Sequence, residues 1–294
     1  MADVAAPSLP STGRNAHSRR TPAHRRKAGR VSNVVLLLFA ACFLLPLTWL
    51  VSASLNADAT YELTAPSTLT LDNFGAILNA QQTFLPLLNS FLLATGSALV
   101  TVTAAVLAAY PLSRYQLRFK RPFMYTVLFG TCLPITAIMV PVYSLFVQLN
   151  LLDSLGGTIF FMGATFLPIA IWMTKNFMDS VPVSLEEAAW IDGASSMKAL
   201  FYVLLPLMRP GLAVVFIFVF LEGWGNFFVP FILLFAESKQ PASVSIFRFF
   251  DQYGGVAYGE LAAFSILYSL PVIILYIATR AMGGSFAISG AMKG

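Results

Sequence analysis

The side chain best placed for chemistry in this sequence is Glu222, a carboxylate within a long apolar run. A charge deep in a lipid bilayer costs roughly 2.5 kcal/mol or more, so this group needs a polar partner or a water-filled path. Trp224 and Asn226 follow closely and add an aromatic ring and an amide. The three side chains together could bind a polar solute by stacking and hydrogen bonding. Helix packing around Gly223 and Gly225 is the alternative explanation.

The composition indicates that these residues belong to a membrane protein. Hydrophobic residues make up 57% of the 294 residues, charged residues make up 11%, and the mean hydropathy is +0.76. These values lie outside the usual range of soluble domains. Several apolar runs are long enough to cross about 30 Å of hydrocarbon as helices; they cover residues 34–54, 87–110, 123–149, 156–173, 211–234 and 261–279. The sequence therefore predicts an all-α membrane protein with six transmembrane helices.

The basic residues are distributed unevenly over the segments that connect these runs. All but two of the 18 lysines and arginines precede the first run, follow the last, or lie in the second and fourth connections. The two exceptions, Lys239 and Arg248, lie in the fifth connection. The positive-inside rule then predicts that the basic segments and both termini are cytoplasmic. The net charge of +5 is explained by this topology and by contact with anionic membrane lipid, with no nucleic-acid binding.

One polar loop, at about residues 178–209, separates the fourth and fifth apolar runs. Ser184 stands three residues before Glu187, a spacing that predicts a capping box at the start of a short helix. Gly193 is predicted to end that helix in a left-handed conformation. Ser195 or Ser196 is predicted to cap a second helix.

The second helix of the polar loop is predicted to be amphipathic and to end at Pro206 and Pro210. Its apolar residues recur at intervals of three and four, which makes one stripe: Met197, Leu200, Phe201, Leu204 and Leu205. Two short helices joined at a glycine would then present an uncovered apolar face. Such a face is predicted to enter a groove of a partner protein.

The polar loop resembles the coupling loop, or EAA loop, of the permease subunits of ABC importers. The shared pattern is an acid with two alanines, a glycine after three residues, and a hydrophobic segment ending in proline after nine more: Glu187-Ala188-Ala189, Gly193 and Val203-Leu204-Leu205-Pro206. Asp192 and Ala194 around the glycine are similar to the carbohydrate-importing branch, specifically the maltose-type second permease. Val203 departs from the usual isoleucine by one methylene.

This resemblance implies the type I ABC importer permease fold, with the permease domain at residues 31–294. Residues 1–30 are rich in Ser, Pro, Ala and Arg and lack apolar periodicity, so they are expected to form a disordered basic cytoplasmic tail. The implied location is the bacterial inner membrane, crossed several times. The implied partners are a sister permease subunit, two ATPase subunits and an extracytoplasmic substrate-binding protein. The implied ATPase-coupling residues are Ser184, Glu187, Ala188, Ala189, Asp192, Gly193, Ala194, Leu200, Phe201, Leu204 and Pro206.

The chain is not expected to be an enzyme or to hold a cofactor or metal. It contains no Walker A sequence or metal-ligand cluster, so ATP and Mg²⁺ are expected to bind to the partner ATPase. Both histidines, His17 and His24, lie in the N-terminal tail. The final segment, residues 283–294, resembles the family ending that projects toward the ATPase dimer.

The substrate-contacting residues cannot be carried over from the family. Relatives have Trp-Asn-acid-Phe in the fifth span, whereas this chain has Trp224-Gly225-Asn226-Phe227 with its acid at Glu222. The hypothesis is that Trp224 stacks on a sugar and that Asn226 or Glu222 accepts hydrogen bonds from its hydroxyl groups. Import of glycerol phosphate, polyamine or peptide is the alternative within the ABC class. An ion-driven secondary transporter would show internal repeats and paired intramembrane charges, and the sequence shows neither.

Overall fold

The computed structural model describes residues 22–62, 64, 66, 68–250 and 255–291, and within them the side chains of residues 33–279. The chain divides into two compact units, residues 1–49 and 50–294. The described residues are mainly helical, and the only strand-like pairings among them are two isolated bridges. This agrees with the predicted all-α class.

The first unit contains most of helix α1 (Pro22–Ser54). Proline is favoured in the first turn of a helix because its missing N–H has no helical partner there. Residues 22–30, which the sequence analysis assigned to a disordered tail, belong to this helix. Residues 1–21 lie outside the described part. The apolar section Asn33–Ser54 is long enough to cross a membrane.

The second unit contains the remaining helices. In chain order they are α2 (Asp72–Ile77), α3 (Leu85–Arg114), α4 (Lys120–Gly130), α5 (Ile135–Gln148), α6 (Leu155–Asp179), α7 (Ser184–Ile191), α8 (Ser196–Leu207), α9 (Arg209–Trp224), α10 (Phe228–Leu233), α11 (Ala242–Ser245) and α12 (Tyr258–Ala291). In the described residues, four helices are long and apolar enough to span a membrane, or up to six if each bent pair is one span. The number of predicted spans, six, equals the upper figure, but the bent pair α8–α9 begins in the polar loop and does not coincide with the predicted fifth span. Residues 292–294 of the predicted tail segment lie outside the described part.

The predicted span at residues 123–149 is sharply broken, because helices α4 and α5 meet at 90°. A second sharp bend, of 81°, separates α8 of the polar loop from α9. Pro134 precedes α5 with extended backbone angles (φ −65°, ψ 127°). Its ring also disfavours helical geometry at Leu133, the residue before it. The predicted fifth span also differs: α9 ends at Trp224, and the short helix α10 follows after a break.

Helix α3 lies at the centre of the second unit, where small side chains permit close packing. Its Thr101 donates to the Gly163 carbonyl of α6 at 2.9 Å. On another side, a Cβ added to Gly223 of α9 would lie only 3.1 Å from the Ala94 Cα atom. Ala94 is completely buried. Both α6 and α9 are therefore held directly against the backbone of α3.

Asp153 fastens the connection before α6 to the connection after α10. Its carboxylate accepts from the amides of Phe235 and Ala236 at 2.9 and 3.0 Å and pairs with Lys239 at 2.8 Å. Burial raises the pKa of Asp153, but the hydrogen bonds from Lys239 and the two amides outweigh it, so the pKa lies below its ordinary value. The ionised carboxylate is thus favoured by the folded state.

An Asp153→Asn substitution is expected to lower stability by about 1 kcal/mol at pH 7, since the pair is partly exposed. Because folding lowers the pKa, this stabilisation is complete above the ordinary value of 3.8 and is lost as the pH falls through the folded value. Thermal unfolding of both proteins in detergent, at neutral pH and at a series of pH values descending from 3.8, measures the difference. Glu62→Gln, in an exposed loop, is the control. An Asp153→Asn deficit that is unchanged in acid would contradict the assignment.

Candidate functional site

Helix α7 begins without the predicted capping box. Val183 already has helical backbone angles (φ −62°, ψ −31°), and the Glu187 amide donates to the Val183 carbonyl at 3.1 Å. Pro182 starts the first turn, with its carbonyl accepting from Leu185 at 3.3 Å. Ser184 therefore lies inside the helix, and its predicted capping role is wrong.

The end of α7 confirms the predicted conformation of Gly193. This glycine has a φ of +85°, and its amide donates to the Trp190 carbonyl at 3.0 Å. The next amide, of Ala194, donates back to the Ala189 carbonyl at 2.9 Å. These two bonds form a Schellman motif, with Ile191 as the last helical residue and Asp192 as the C-cap. The motif fixes the direction in which the chain leaves α7.

Glu186, which the sequence analysis did not select, anchors α7 to the end of α3. Its carboxylate is fully buried and pairs with the guanidinium of Arg114, whose side chain is only 2% exposed. Arg114 also donates to the Val181 carbonyl at 3.2 Å and to the Ser113 hydroxyl at 3.1 Å. One arginine thus binds both the start of the polar loop and the helix within it.

The remaining motif residues of α7 lie on its accessible side. Glu187 and Ala188 are exposed, and Ala189 is half-buried. Trp190 and Ile191 are also exposed, Ile191 to 86%. These residues are free of the contacts that hold Glu186 and are open to a partner.

Helix α8 begins as predicted but does not end as predicted. The Ser195 hydroxyl accepts from the Lys198 amide at 3.4 Å and caps the helix. A π-helical turn, Leu200–Leu204, follows, and α8 continues through Pro206 to Leu207. The π turn precedes Pro206, so this proline lies in the first turn of a new α-helical segment, where no N–H is required. The prediction that Pro206 ends the helix is therefore wrong.

The predicted apolar stripe of α8 is divided between two environments. Leu200 and Leu204 are fully buried in the chain's own core, beside Tyr110 of α3 and Met178 of α6. The prediction that these two leucines form an exposed docking face is wrong, because they anchor α8 instead. Eight large apolar side chains of the polar loop are exposed. We call five of them the docking residues: Trp190, Ile191, Met197, Phe201 and Tyr202. The other three are Val183, Leu185 and Leu207.

Trp224 is not accessible to a bound solute. Its side chain is 3% exposed, and its ring stacks on Phe220 and Tyr268 at centroid distances of 5.8 and 5.4 Å. The Tyr268 hydroxyl also donates to the Trp224 carbonyl at 2.6 Å. The predicted stacking of Trp224 on a sugar is therefore wrong, and the alternative of helix packing describes this residue.

Glu222 and Asn226 lie together on a cleft of about 460 Å³. The cleft is also lined by residues at the break between α4 and α5 and by the middle of α6, including Thr131, Thr165 and Pro168. Asn226 accepts from the Val229 amide at 3.1 Å through its Oδ1, which leaves its amide nitrogen as a donor. Glu222 is exposed and forms no ion pair with any residue that the structure describes. A hydrogen-bond acceptor, the Glu222 carboxylate, and a donor, the Asn226 amide nitrogen, are thus available on one wall of the cleft.

The sequence and structure resemble transport proteins. The profile of the family described as binding-protein-dependent transport system inner membrane component matches residues 101–286. The sulfoquinovosyl glycerol transport system permease protein of Agrobacterium fabrum is 30% identical, over 85% of this chain and 89% of its own length. The trehalose transport system permease protein of Mycobacterium tuberculosis is 29% identical, over 85% and 93%.

A solved structure shares the fold. A chain of a bacterial ABC transporter involved in the import of the acidic polysaccharide alginate superposes with a TM-score of 0.78. It is 24% identical, and the match covers 90% of this chain and 99% of that one. The overall fold of this chain is therefore one that occurs in a solved structure.

Proposed function

We propose, since this chain belongs to the family of binding-protein-dependent transport system inner membrane components, that it is a permease subunit importing a sugar. The single observation that carries the function is the family match over residues 101–286. It makes the chain a multi-pass inner membrane protein. The sugar class is supported by relatives named for trehalose and for melibiose, raffinose and stachyose.

The proposed importer contains this chain, a sister permease, two ATPase subunits and an extracytoplasmic binding protein. A second solved structure, similar with a TM-score of 0.66 and 16% identity, shows a bacterial alginate ABC transporter in complex with a periplasmic protein that holds an alginate pentasaccharide. The distribution of basic residues supports a cytoplasmic position for both termini and for the polar loop. ATP and Mg²⁺ would bind to the ATPase subunits.

In this proposal, the polar loop moves as one body when the ATPase subunits close. The Schellman motif at Gly193 fixes α7 relative to α8. The Arg114–Glu186 pair and the buried Leu200 and Leu204 attach both helices to the core around α3. Force on the docking residues would therefore reach α3 with little local deformation. Such a contact drives transport only if its free energy differs between the inward-open and outward-open states.

The exposed motif residues would form the contact with the ATPase. Glu187 is an exposed carboxylate suited to a basic partner residue, and Ala188 permits a close approach. Asp192 and Ala194 complete the turn beside them. Phe201 would contribute apolar area, since it is 53% exposed on α8. Pro206 and Ser184 would act only through local backbone geometry.

The cleft with Glu222 and Asn226 would form part of the translocation path. A carboxylate can accept hydrogen bonds from sugar hydroxyl groups, and the amide of Asn226 can donate one. The cleft lies beside the broken pair α4 and α5, where irregular backbone is compatible with a water-filled cavity. This also accounts for a carboxylate at that depth in the membrane.

Glu222→Gln is expected to reduce the efficiency of uptake about tenfold, because one charge-assisted hydrogen bond becomes a neutral one. The shape of the side chain is preserved, so assembly of the complex should not change. Initial rates of sugar uptake at several concentrations measure the effect. Glu237→Gln, on the exposed connection after α10, is the matched control. Uptake kinetics equal to those of the unsubstituted protein would remove Glu222 from the path.

The energy source separates this function from ion-driven transport. The complex is reconstituted in liposomes with its binding protein, and uptake is measured with ATP enclosed and with an ionophore present. The proposal expects uptake that requires ATP and survives the ionophore. Uptake that needs no ATP and collapses with the ion gradient would instead favour a secondary transporter.

A further inference from the structure

A second, larger cleft of about 930 Å³ lies away from the docking residues and from Glu222. It is formed where α3 and α6 end and α4 begins, together with the short connection at residues 115–119. Since α3 and α6 are apolar spans, the ends of these helices mark the level at which the hydrocarbon region gives way to lipid headgroups. The cleft therefore opens at the membrane interface.

The cleft carries excess positive charge. Arg118, Lys120 and Arg121 line it and form no ion pair within the described part of the chain. Lys175 also lines it and pairs with Asp179, on which the charge of Lys120 acts as well. Arg114 is already paired with the buried Glu186. The three unpaired cations leave the cleft suited to a group with more than one negative charge, or to a phosphodiester with neighbouring acceptors.

Aromatic and apolar side chains occupy the rest of the wall. Tyr115, Tyr125 and Trp172 line the cleft and are 44%, 70% and 46% exposed. Tyrosine and tryptophan with these exposures are typical of the headgroup level, where one end of the ring is apolar and the other is hydrated. Met124 and Leu128 extend the wall along α4. A free anion would contact only the cationic side chains. A phospholipid would contact both the cations and the aromatic and apolar wall.

We propose that this cleft binds one anionic phospholipid. Its phosphate group lies against Arg118, Lys120 and Arg121, where guanidinium groups can donate two parallel hydrogen bonds to phosphate oxygens. Its upper acyl chain lies along Met124 and Leu128. Basic pockets between membrane helices on the cytoplasmic side recognise lipid headgroups in this way. The bound lipid would also neutralise cations close to the Arg114–Glu186 pair.

The test uses the purified importer complex, stripped of lipid in detergent and then mixed with defined lipids. Native mass spectrometry measures retention of phosphatidylglycerol, cardiolipin and phosphatidylcholine. The double substitution Arg118→Gln/Arg121→Gln is expected to lower retention of the two anionic lipids at least about tenfold. Lys198→Gln/Arg209→Gln removes two exposed basic residues outside the cleft and should leave retention unchanged. An equal loss in both double variants would overturn the proposal, because it would show only general attraction to negative lipid.

Quenching of tryptophan fluorescence gives a second readout that needs no charge substitution. Brominated phosphatidylglycerol is expected to quench the Trp172 signal, measured as the difference between the complex and its Trp172→Phe variant. Brominated phosphatidylcholine should quench it several-fold less. Equal quenching by the two lipids would overturn the proposal. So would displacement of bound phosphatidylglycerol by inorganic phosphate, since the site would then recognise a free anion.

Discussion

Replacement of Glu186 by leucine is expected to cost about 3–5 kcal/mol of stability and to abolish sugar uptake. The substitution leaves the Arg114 guanidinium buried without its counter-charge. Arg114→Met should cost a similar amount, because it leaves the carboxylate of Glu186 equally unpaired. The double substitution removes both charges and should recover most of the stability, since an apolar pair can replace a buried ion pair. Denaturation in detergent measures the three variants.

Glu187→Leu is the matched control for this series. Glu187 is the same residue type, one position along the same helix, but it is exposed. Its replacement should change the stability by less than about 0.5 kcal/mol. The anchoring role of the pair would be contradicted if Glu186→Leu were as mild as Glu187→Leu. It would also be contradicted if the losses in the two single variants simply added in the double variant.

Gly193→Val is expected to separate ATP hydrolysis from transport. A β-branched residue at a φ of +85° costs at least about 1–2 kcal/mol, so the Schellman motif should open and the angle between α7 and α8 should change. No atom lies within 4 Å of a Cβ placed there, so the effect is on the backbone conformation alone. The complex should retain ATPase activity while ATP-driven uptake falls at least about tenfold. Parallel assays in liposomes measure both rates.

Gly193→Asn distinguishes the effect of backbone strain at a positive φ from the effect of the added side-chain volume. Asparagine tolerates the left-handed region better than other residues with a Cβ, so this variant should keep most of its uptake. Full uptake in Gly193→Val would remove the glycine from the coupling step. An equal loss of uptake in both variants would show that the added side-chain volume disturbs a partner surface, and that the conformation of the turn is not the cause.

Local signals in the sequence were sufficient to predict several parts of the structure. The apolar runs predicted the helices, and Gly193 predicted the left-handed turn. The start of α8 was predicted at Ser195 or Ser196, and Ser195 is the cap. These features depend on hydrophobic length or on a few adjacent residues. The Arg114–Glu186 pair could not be predicted from such local signals, because its two residues are 72 positions apart. Which of two adjacent glutamates becomes buried depends on the face of α7 that meets α3.

The division of the α8 stripe could not be predicted from a regular period. The π turn at Leu200–Leu204 contains an extra residue relative to an α-helical turn, so it changes the phase of the side chains that follow. A template of three and four residues grouped Phe201 with Leu200 and Leu204, although Phe201 directly follows Leu200 and so points about 100° away from it. In the structure, the two leucines are buried and Phe201 is exposed.

The wrong prediction that Trp224 contacts a sugar beside Glu222 could have been avoided, because the helical period separates these two residues. With 3.6 residues per turn, positions two apart lie on nearly opposite faces, whereas positions four apart share one. Glu222 and Trp224 therefore point apart, and Trp224 packs on Tyr268. Asn226 lies just beyond the end of α9 but still lines the cleft with Glu222. Proximity in sequence was a poorer guide than periodicity.

Co-purification is the most direct test of the claim that this chain is a permease subunit driven by partner ATPases. The tagged chain is extracted from its native membrane in mild detergent, the bound proteins are identified by mass spectrometry, and ATP hydrolysis is assayed. The account predicts an ATPase subunit and a second permease in defined proportion, with measurable ATPase activity. A chain that purifies alone, without ATPase activity, from membranes in which it still supports uptake would contradict it.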